Sequence, residues 1–546
     1  MKTVYYILGL LLLTACYDDK RNYNYSEINE VQVKLNEVYG VRLQDTTVVI
    51  RLQLNQSMKE KRDNLKFTWY HSDMSEKFYA YGDLEPVSHA DTVAFHIDPN
   101  DKALKFVQYF RCNVYDEVTG IEYPVKTMVK IAKPYHGAWM VLHSKNGQTQ
   151  LGAVEYVGTE MLVCEDAYFR KTGKQLKGNP LCLGVHNSVD VKYYGGKTVY
   201  NAFAVITDVP DEAGIYCQWN KFQKMDSISR MVAPSYRSEF GYSGIKLIEG
   251  DSYGGLCLTD GSLYHISSGL KLYKAHIDPA VTGPIDLSHG TKVGFVSLYY
   301  DKAGKRFLNY CNYARNDDYD PNIFNESTDN DPLYKLALIP ERENNVKGAD
   351  PNHLEADREV LYVGAGYWYG PNLPGNSNRM YVYALAKSPS SCYVYEFDSY
   401  GLTEAQDAAF TGYYPIEIPK GLNENSCFAS GLSYNGILFY ASGNKVYRLD
   451  FMQKGGAAAT IYTHPGGKAK IMKFAKKGRV DKKVDYSEYG FDVNRSLGVV
   501  FEMGDGTCEL VVLNLANTGK IAPDGEVWPS IQVHKGFGDI RDIEFL

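Results

Sequence analysis

Residues 138–157, AWMVLHSKNGQTQLGAVEYV, form an apolar strand, a turn built on Asn and Gly, and a second strand carrying an aromatic residue. The same unit recurs at 201–220 (NAFAVITDVPDEAGIYCQWN), 255–267 (GLCLTDGSLYHIS), 293–313 (VGFVSLYYDKAGKRFLNYCNY), 379–399 (RMYVYALAKSPSSCYVYEFDS), 436–451 (GILFYASGNKVYRLDF) and 497–516 (LGVVFEMGDGTCELVVLNLA). Seven hairpins across about 410 residues give one unit per roughly 60, longer than a compact four-stranded blade because loops are inserted. The expected architecture is all-β, with residues 134–546 forming a seven-bladed β-propeller, whose radial packing protects the sheet edges. A row of β-sandwiches is the competing arrangement. Several units follow a short strand, as in SGIKLIEG (243–250) and CFASGLSY (427–434), but the first does not. The chain ends in GDIRDIEFL (538–546), a strand of the same type, expected to be the innermost strand of the first blade and so to close the ring.

Composition agrees with strands and tight turns: 46 Tyr and 49 Gly, with few stretches able to sustain a helix. One short helix is expected over 404–410, with Thr403 as N-cap and Gln406 completing a capping box. A net charge of −7 leaves no basic footprint for nucleic acid. Nine of the ten cysteines follow Cys16, without CxxC spacing and with several inside apolar strands, such as Cys112, Cys257 and Cys508. They are read as buried small hydrophobes rather than a disulfide framework.

The amino terminus carries an address. Lys2, the apolar run Val4–Leu13 and the small residues before Cys16 make residues 1–15 a signal peptide, too short to span a bilayer. Leu13-Thr14-Ala15-Cys16 resembles the lipobox of bacterial lipoprotein precursors, which implies a lipid on the Cys16 thiol and cleavage before it. Residues 16–26 are a polar tether. Asp18 and Asp19 resemble the acidic signal that sends Bacteroidetes lipoproteins to the outer face of the outer membrane.

From 27 to 133 the chain reads as short alternating strands: VVIRLQL (48–54), LKFTWY (65–70), VAFHI (93–97), YFRCNVY (109–115) and VKTMVKI (125–131). This is the pattern of an Ig-like β-sandwich with Trp69 and Cys112 in its core. The lipobox, the tract CYDDKRNYNYSEINEV (16–31) and a sandwich ending in YFRCNVYDEVTG together resemble the PKD-like lipoproteins of Bacteroidetes. That resemblance implies an outer-membrane nutrient-uptake locus, beside a SusC-like transporter and a SusD-like lipoprotein. It carries over no catalytic residues.

Motifs for chemistry are weak. Gly250-Asp251-Ser252-Tyr253-Gly254 matches the nucleophile-elbow spacing but is followed by a strand, so it is read as a turn. Twelve histidines lack any zinc spacing; His136, His143, His265 and His289 are read as surface or satisfied strand residues, and no metal or cofactor is expected. Asp318–Asn322 begins like a calcium loop, but Ile323 stands where the glycine belongs, so 316–331 is read as a solvated acidic insertion.

The stretch GAGYWYGPNLPGNSN (364–378) places Tyr367, Trp368 and Tyr369 among Gly, Pro and Asn, with Asn372 nearby. Read as an inserted loop, it offers rings to stack on sugar faces and amides to reach hydroxyls. Packing onto its own blade, or onto a partner protein, accounts for it equally well. The expected function is a non-enzymatic, lipid-anchored surface protein that binds glycan, or helps capture it, for a SusC/SusD-type importer. A propeller glycosidase or lyase, which needs two converging carboxylates, and an accessory to peptide uptake are the alternatives.

Overall fold

The structure is a computed structural model. It describes residues 29–546 except 37, 58–61, 75–83, 102, 133–134, 136, 158–159, 192–196, 218–221, 252–253, 267–269, 294–295, 312–334, 369–379, 403–406, 477–492 and 524–528. The chain divides into two compact units, Met1–Ile131 and Ala132–Leu546.

The first unit is a β-sandwich. One sheet runs Val38–Arg42, Glu122–Ala132, Val107–Asp116, Leu65–Ser72 and Pro86–Ser88; facing it are the pairs Val31–Lys34 with Gln53–Gln56 and Thr46–Arg51 with Thr92–Ile97. Alternation puts Ile50, Val93 and Ile97 from one layer against Phe110, Cys112 and Val129 from the other. Trp69 and Cys112 stand opposite each other in register and are fully buried, as expected. Burial pushes the Cys112 thiol up to about 12, which leaves it an inert core residue.

Asp116 is the polar pin of this unit. It is fully buried, and its carboxylate accepts from Asn64 Nδ2 (2.6 Å), Thr119 Oγ1 (2.9 Å), the Val118 N–H (3.0 Å) and Asn29 Nδ2 (3.2 Å). Burial alone would raise its pKa, but these four donors outweigh it and hold the carboxyl down to about 2. One side chain thus ties the turn that follows it to the first described residues of the chain.

The second unit is a β-propeller with seven blades among the described residues, six of four strands and the fourth with a fifth, His276–Ile277, on its outer edge; blades 2 and 3 are joined into one continuous sheet. Each of the seven sequence hairpins supplies the second and third strands of one blade. Those strands are apolar on both faces because each blade is covered by its neighbours; Val296–Asp301 and Cys508–Asn514 are buried at every position. The inner strands of blades 2 to 7 are Pro180–Val191, Ile245–Asp251, Leu287–Val293, Glu359–Trp368, Cys427–Ala429 and Lys468–Phe474. The inner strand of blade 1 is Asp539–Phe545, from the far end of the chain. It pairs antiparallel with Ala138–Lys145, from Trp139↔Phe545 to Ser144↔Asp539, and Leu546 and Ala138 exchange backbone hydrogen bonds beyond it.

Further contacts fix this closure. The Gly538 N–H donates to His143 Nδ1 (3.2 Å), which leaves His143 Nε2 to donate to the Glu165 carbonyl (2.8 Å). His143 is therefore a satisfied, neutral core residue; burial and nearby Lys145 lower its pKa, partly opposed by the Glu165 carbonyl. Glycine is required where inner strands converge: a Cβ on Gly184 would lie 1.7 Å from the Ile248 carbonyl oxygen, between blades 2 and 3.

Two local expectations are corrected. The helix over 404–410 is not formed at its described end: Asp407–Ala409 are irregular and Phe410 opens the outer strand of blade 5. Asn345 Oδ1 takes the Ala409 and Phe410 N–H groups, and both residues are buried, so tertiary contacts override the local capping signal. Nor are residues 364–368 a loop; they end the inner strand of blade 5. Asp251 and Gly254 pair across a hairpin, so the elbow-like sequence does lead into a strand, with Ser252 and Tyr253 outside the described residues. The acidic insertion 316–331 also lies outside them.

Two outcomes are expected. Removing residues 540–546 leaves blade 1 without its inner strand, and calorimetry should show no cooperative transition for the propeller. Replacing Asp116 with Ala strands buried amides and should destabilise the sandwich by about 2 kcal/mol, read by chemical denaturation followed through the fluorescence of Trp69, the one tryptophan in that unit.

Candidate functional site

In an antiparallel blade the first and third strands run the same way, so the connections after them leave from one face of the ring. Chain ends at Cys311 and Lys335, at Trp368 and Met380, and at Phe474 and Ser496 all lie on this face. Two groups of side chains on the propeller deserve chemical scrutiny.

The first lies on inner strands around the closure. Asp542 and Glu544, two apart on the inner strand of blade 1, share one face. Lys473, on the inner strand of blade 7, reaches both, with Nζ 2.7 Å from Asp542 Oδ1 and 2.6 Å from Glu544 Oε1. Asp542 Oδ2 also accepts the Leu183 N–H of blade 2 (2.8 Å). Burial opposes charge on Lys473, yet the two carboxylates win and raise its pKa. Burial raises Glu544, and Asp542 adds to it, while Lys473 opposes them. Lys473 still keeps 30% of its side-chain surface accessible, so the ammonium is only partly withdrawn from solvent. Glu249 of blade 3 accepts the Lys292 N–H of blade 4 (3.0 Å), continuing the polar lining. A hydrolase needs a carboxylate pair free to exchange protons with substrate; here the pair is clamped by one ammonium and joins three blades.

The second group lies in the seam between blades 5 and 6, where the sequence-predicted Tyr367 falls. Tyr367 and Trp368 project to opposite faces of their strand. Tyr367 packs with Tyr381, Tyr383 and Tyr414 toward blade 6, whereas Trp368 packs with Val382 and Phe397 toward blade 4. The Trp368 N–H donates to the Leu432 carbonyl (2.9 Å), joining blades 5 and 6 near the axis. Phe451 of blade 6 lies edge-on to Tyr383 and tilted against Tyr414, both with ring centroids 5.1 Å apart. Tyr369 and Asn372 lie outside the described residues, so the structure brings together only Tyr367 of the proposed ligand contacts with this wall.

Glu396, on the third strand of blade 5, stands in that wall and was not singled out by the sequence reading. It pairs in register with Tyr383 and Gly412, and only 4% of it is exposed. Its Oε1 accepts the Thr411 hydroxyl (3.0 Å). Burial, opposed by Thr411 and reinforced by Asp398, holds its carboxyl above the ordinary carboxylate range. A signal was present: CYVYEFD (392–398) is an apolar strand interrupted by acids at alternate positions, as is DIRDIEF (539–545).

Comparison with known proteins places residues 16–180 in a match to the PKD-like family. That span covers the sandwich and extends through the second, third and fourth strands of blade 1. No curated protein sequence matches the chain. Among solved structures it is similar to a quinonprotein alcohol dehydrogenase-like protein of Bacteroides thetaiotaomicron, at 10% identity and TM-score 0.38, covering 93% of this chain and 96% of that one. It is also similar to AztD of Citrobacter koseri (10% identity, TM-score 0.35, 80% and 94% covered) and to the WD40 domain of Neurospora crassa Pan2 (10%, 0.34, 66% and 81%). The propeller assignment rests on the strand pairing described above.

If Lys473 compensates Asp542 and Glu544, Lys473→Met should cost about 2 kcal/mol, below the range for fully buried pairs because Lys473 stays partly accessible. Lys473→Arg should recover most of the loss in thermal melting.

Proposed function

We propose that this protein is a lipid-anchored outer-membrane protein, exposed at the cell surface, that binds nutrient or helps capture it for a SusC/SusD-type uptake system without itself catalysing a reaction. The observation that carries the reading is the start of the chain: the lipobox-like Leu13–Cys16 precedes a polar tether, and the PKD-like match opens at Cys16 itself. Several acyl chains on Cys16, at roughly 0.8 kcal/mol per buried methylene, would hold a soluble protein on a bilayer almost permanently. A propeller beyond the tether offers a face of long connections for ligand contact. Glycan is the first candidate cargo because Tyr367 lies one residue before the end of an inner strand at that face, with peptide as the alternative. The clamped state of Asp542 and Glu544 favours binding over hydrolysis.

Two measurements test the reading together. Cys16→Ala should abolish incorporation of an alkyne-labelled fatty acid and release the protein from the membrane fraction. Affinity purification of the wild-type protein from detergent-solubilised outer membrane should recover a SusC-like transporter and a SusD-like lipoprotein; recovery of neither would end the uptake assignment.

A further inference from the structure

We infer that the turn at residues 117–121 of the sandwich rests on the bilayer that holds the tether, with the side chains of Tyr115, Val118 and Ile121 entering its interface. The inference goes beyond nutrient capture and rests on the anchor reading for where the bilayer lies.

Hairpin turns at a protein surface are ordinarily polar. The connection between Val107–Asp116 and Glu122–Ala132 instead carries Val118, 61% exposed, with Tyr115 and Ile121 flanking it in sequence at 41% each. The Tyr115 ring reaches over the turn, its hydroxyl 3.9 Å from where a Cβ on Gly120 would stand. Single exposed apolar side chains need no explanation, but three at one turn make an apolar tip. The backbone of this tip is also prepared to leave water. The Asp116 N–H donates to the Ile121 carbonyl (2.9 Å), the Glu117 N–H to the Asn64 carbonyl (2.9 Å), the Val118 N–H to the Asp116 carboxylate (3.0 Å) and the Gly120 N–H to the Asp116 carbonyl (2.8 Å). Donors already paired within the protein lose no hydrogen bond on entering a medium that offers none. Glu117, the one charge within the turn, is paired with Lys66.

The position of the tether selects the occupant. Asn29, the first described residue, is held at the base of the tip, its Nδ2 3.2 Å from Asp116 Oδ2 and 2.7 Å from Gln56 Oε1. From there Val31–Lys34 runs away from the tip, pairing from Val31↔Gln56 to Lys34↔Gln53. Residues 16–28 join Cys16 to this point, and a segment of that length reaches at most about 45 Å. A tethered surface docks most readily close to its attachment, because effective concentration falls as the span to be bridged grows. The other end of the sheet also exposes Met74 and Phe106, but it lies roughly 35 Å away along the 11-residue strand Glu122–Ala132, where the chain leaves for the second unit. Tyrosine, with an apolar ring and a polar hydroxyl, suits the headgroup level of a bilayer. Exposed Glu117 and Glu122 border the tip, so a zwitterionic surface fits it better than an anionic one.

Fluorescence on vesicles tests this. The mature full chain, with a hexahistidine tag in place of the lipid, is held on phosphatidylcholine vesicles containing nickel-chelating lipid, and Val118→Trp is read by quenching from phosphatidylcholine brominated near the headgroup end of its acyl chains. The emission added by this tryptophan should fall two-fold or more on brominated vesicles, whereas that added by Val49→Trp, a comparably exposed position on a strand of the same unit, should not change. Ile121→Asp in the Val118→Trp background should restore the emission while the protein stays on the vesicles. Tyr115→Trp is the substitute reporter should Val118→Trp not fold. Equal quenching at both positions, none at the tip, or quenching indifferent to Ile121→Asp overturns the inference. A tip shielded from acrylamide before vesicles are added, or shielded only in a purified transporter complex, also overturns it and gives the surface to another segment of the chain or to a protein partner. Because the tag supplies the tether, failure here leaves the lipid on Cys16 untouched, and absence of that lipid, read by the fatty-acid label, leaves this result standing.

Discussion

The pairing of Asp539–Phe545 with Ala138–Lys145 is the constraint on which the second unit depends. A ring of sheets without closure would present two open edges, and each inner strand would lose a neighbour. Here the last strand of the chain becomes the first strand of the first blade, so residues some 400 positions apart must meet before the ring is complete. The polar contacts concentrate at this point. Lys473, Asp542 and the Leu183 N–H connect blades 7, 1 and 2, while His143 receives the Gly538 N–H just before the closing strand begins. Hydrophobic contact alone would tolerate slippage of that strand; charges and a neutral histidine with two assigned nitrogens fix its register.

The closing strand was legible because GDIRDIEFL (538–546) reads as a strand of the same type as the repeats and because the first hairpin lacks an inner strand of its own. The seven hairpins were legible for a related reason: the second and third strands of each blade are sandwiched between neighbours and read as apolar runs joined by Gly, Asp or Asn turns. The inner strand of blade 5 was not. GAGYW looks like a loop because its glycines carry no strand propensity, but they serve packing: a Cβ on Gly366 would lie 2.3 Å from the Tyr383 ring, and one on Gly364 1.9 Å from the Tyr362 hydroxyl. Local composition cannot show that a ring from a neighbouring strand will occupy the space a side chain vacates.

The candidate site shows the same division. Tyr367 could be named from sequence because an aromatic residue among glycines is conspicuous. Glu396 could not, because its meaning lies in what surrounds it: tyrosines on two neighbouring strands, Phe451 of the next blade and the absence of a cation among the described residues. The acid within CYVYEFD is visible as an anomaly, yet an anomaly in a strand has several resolutions. Arg358, buried and set 3.9 Å over Tyr393, with Glu355 and the Tyr395 hydroxyl as partners, is one resolution in which the chain supplies everything itself. Glu396 differs in that its second oxygen is left over.

Position in the ring explains how such an incomplete group can persist. Blades 7, 1 and 2 hold the closure, and blade 6 separates them from the seam between 5 and 6. Each seam has its own apolar contacts, so a poorly satisfied carboxylate in one weakens that seam without disturbing the register set at the other. The backbone hydrogen bond from Trp368 to the Leu432 carbonyl and the hydrogen bonds from Ser430 to Tyr362 and Ala365 hold blades 5 and 6 together near the axis, independently of Glu396. A ring built this way can keep an incompletely satisfied group in one seam because closure is secured elsewhere.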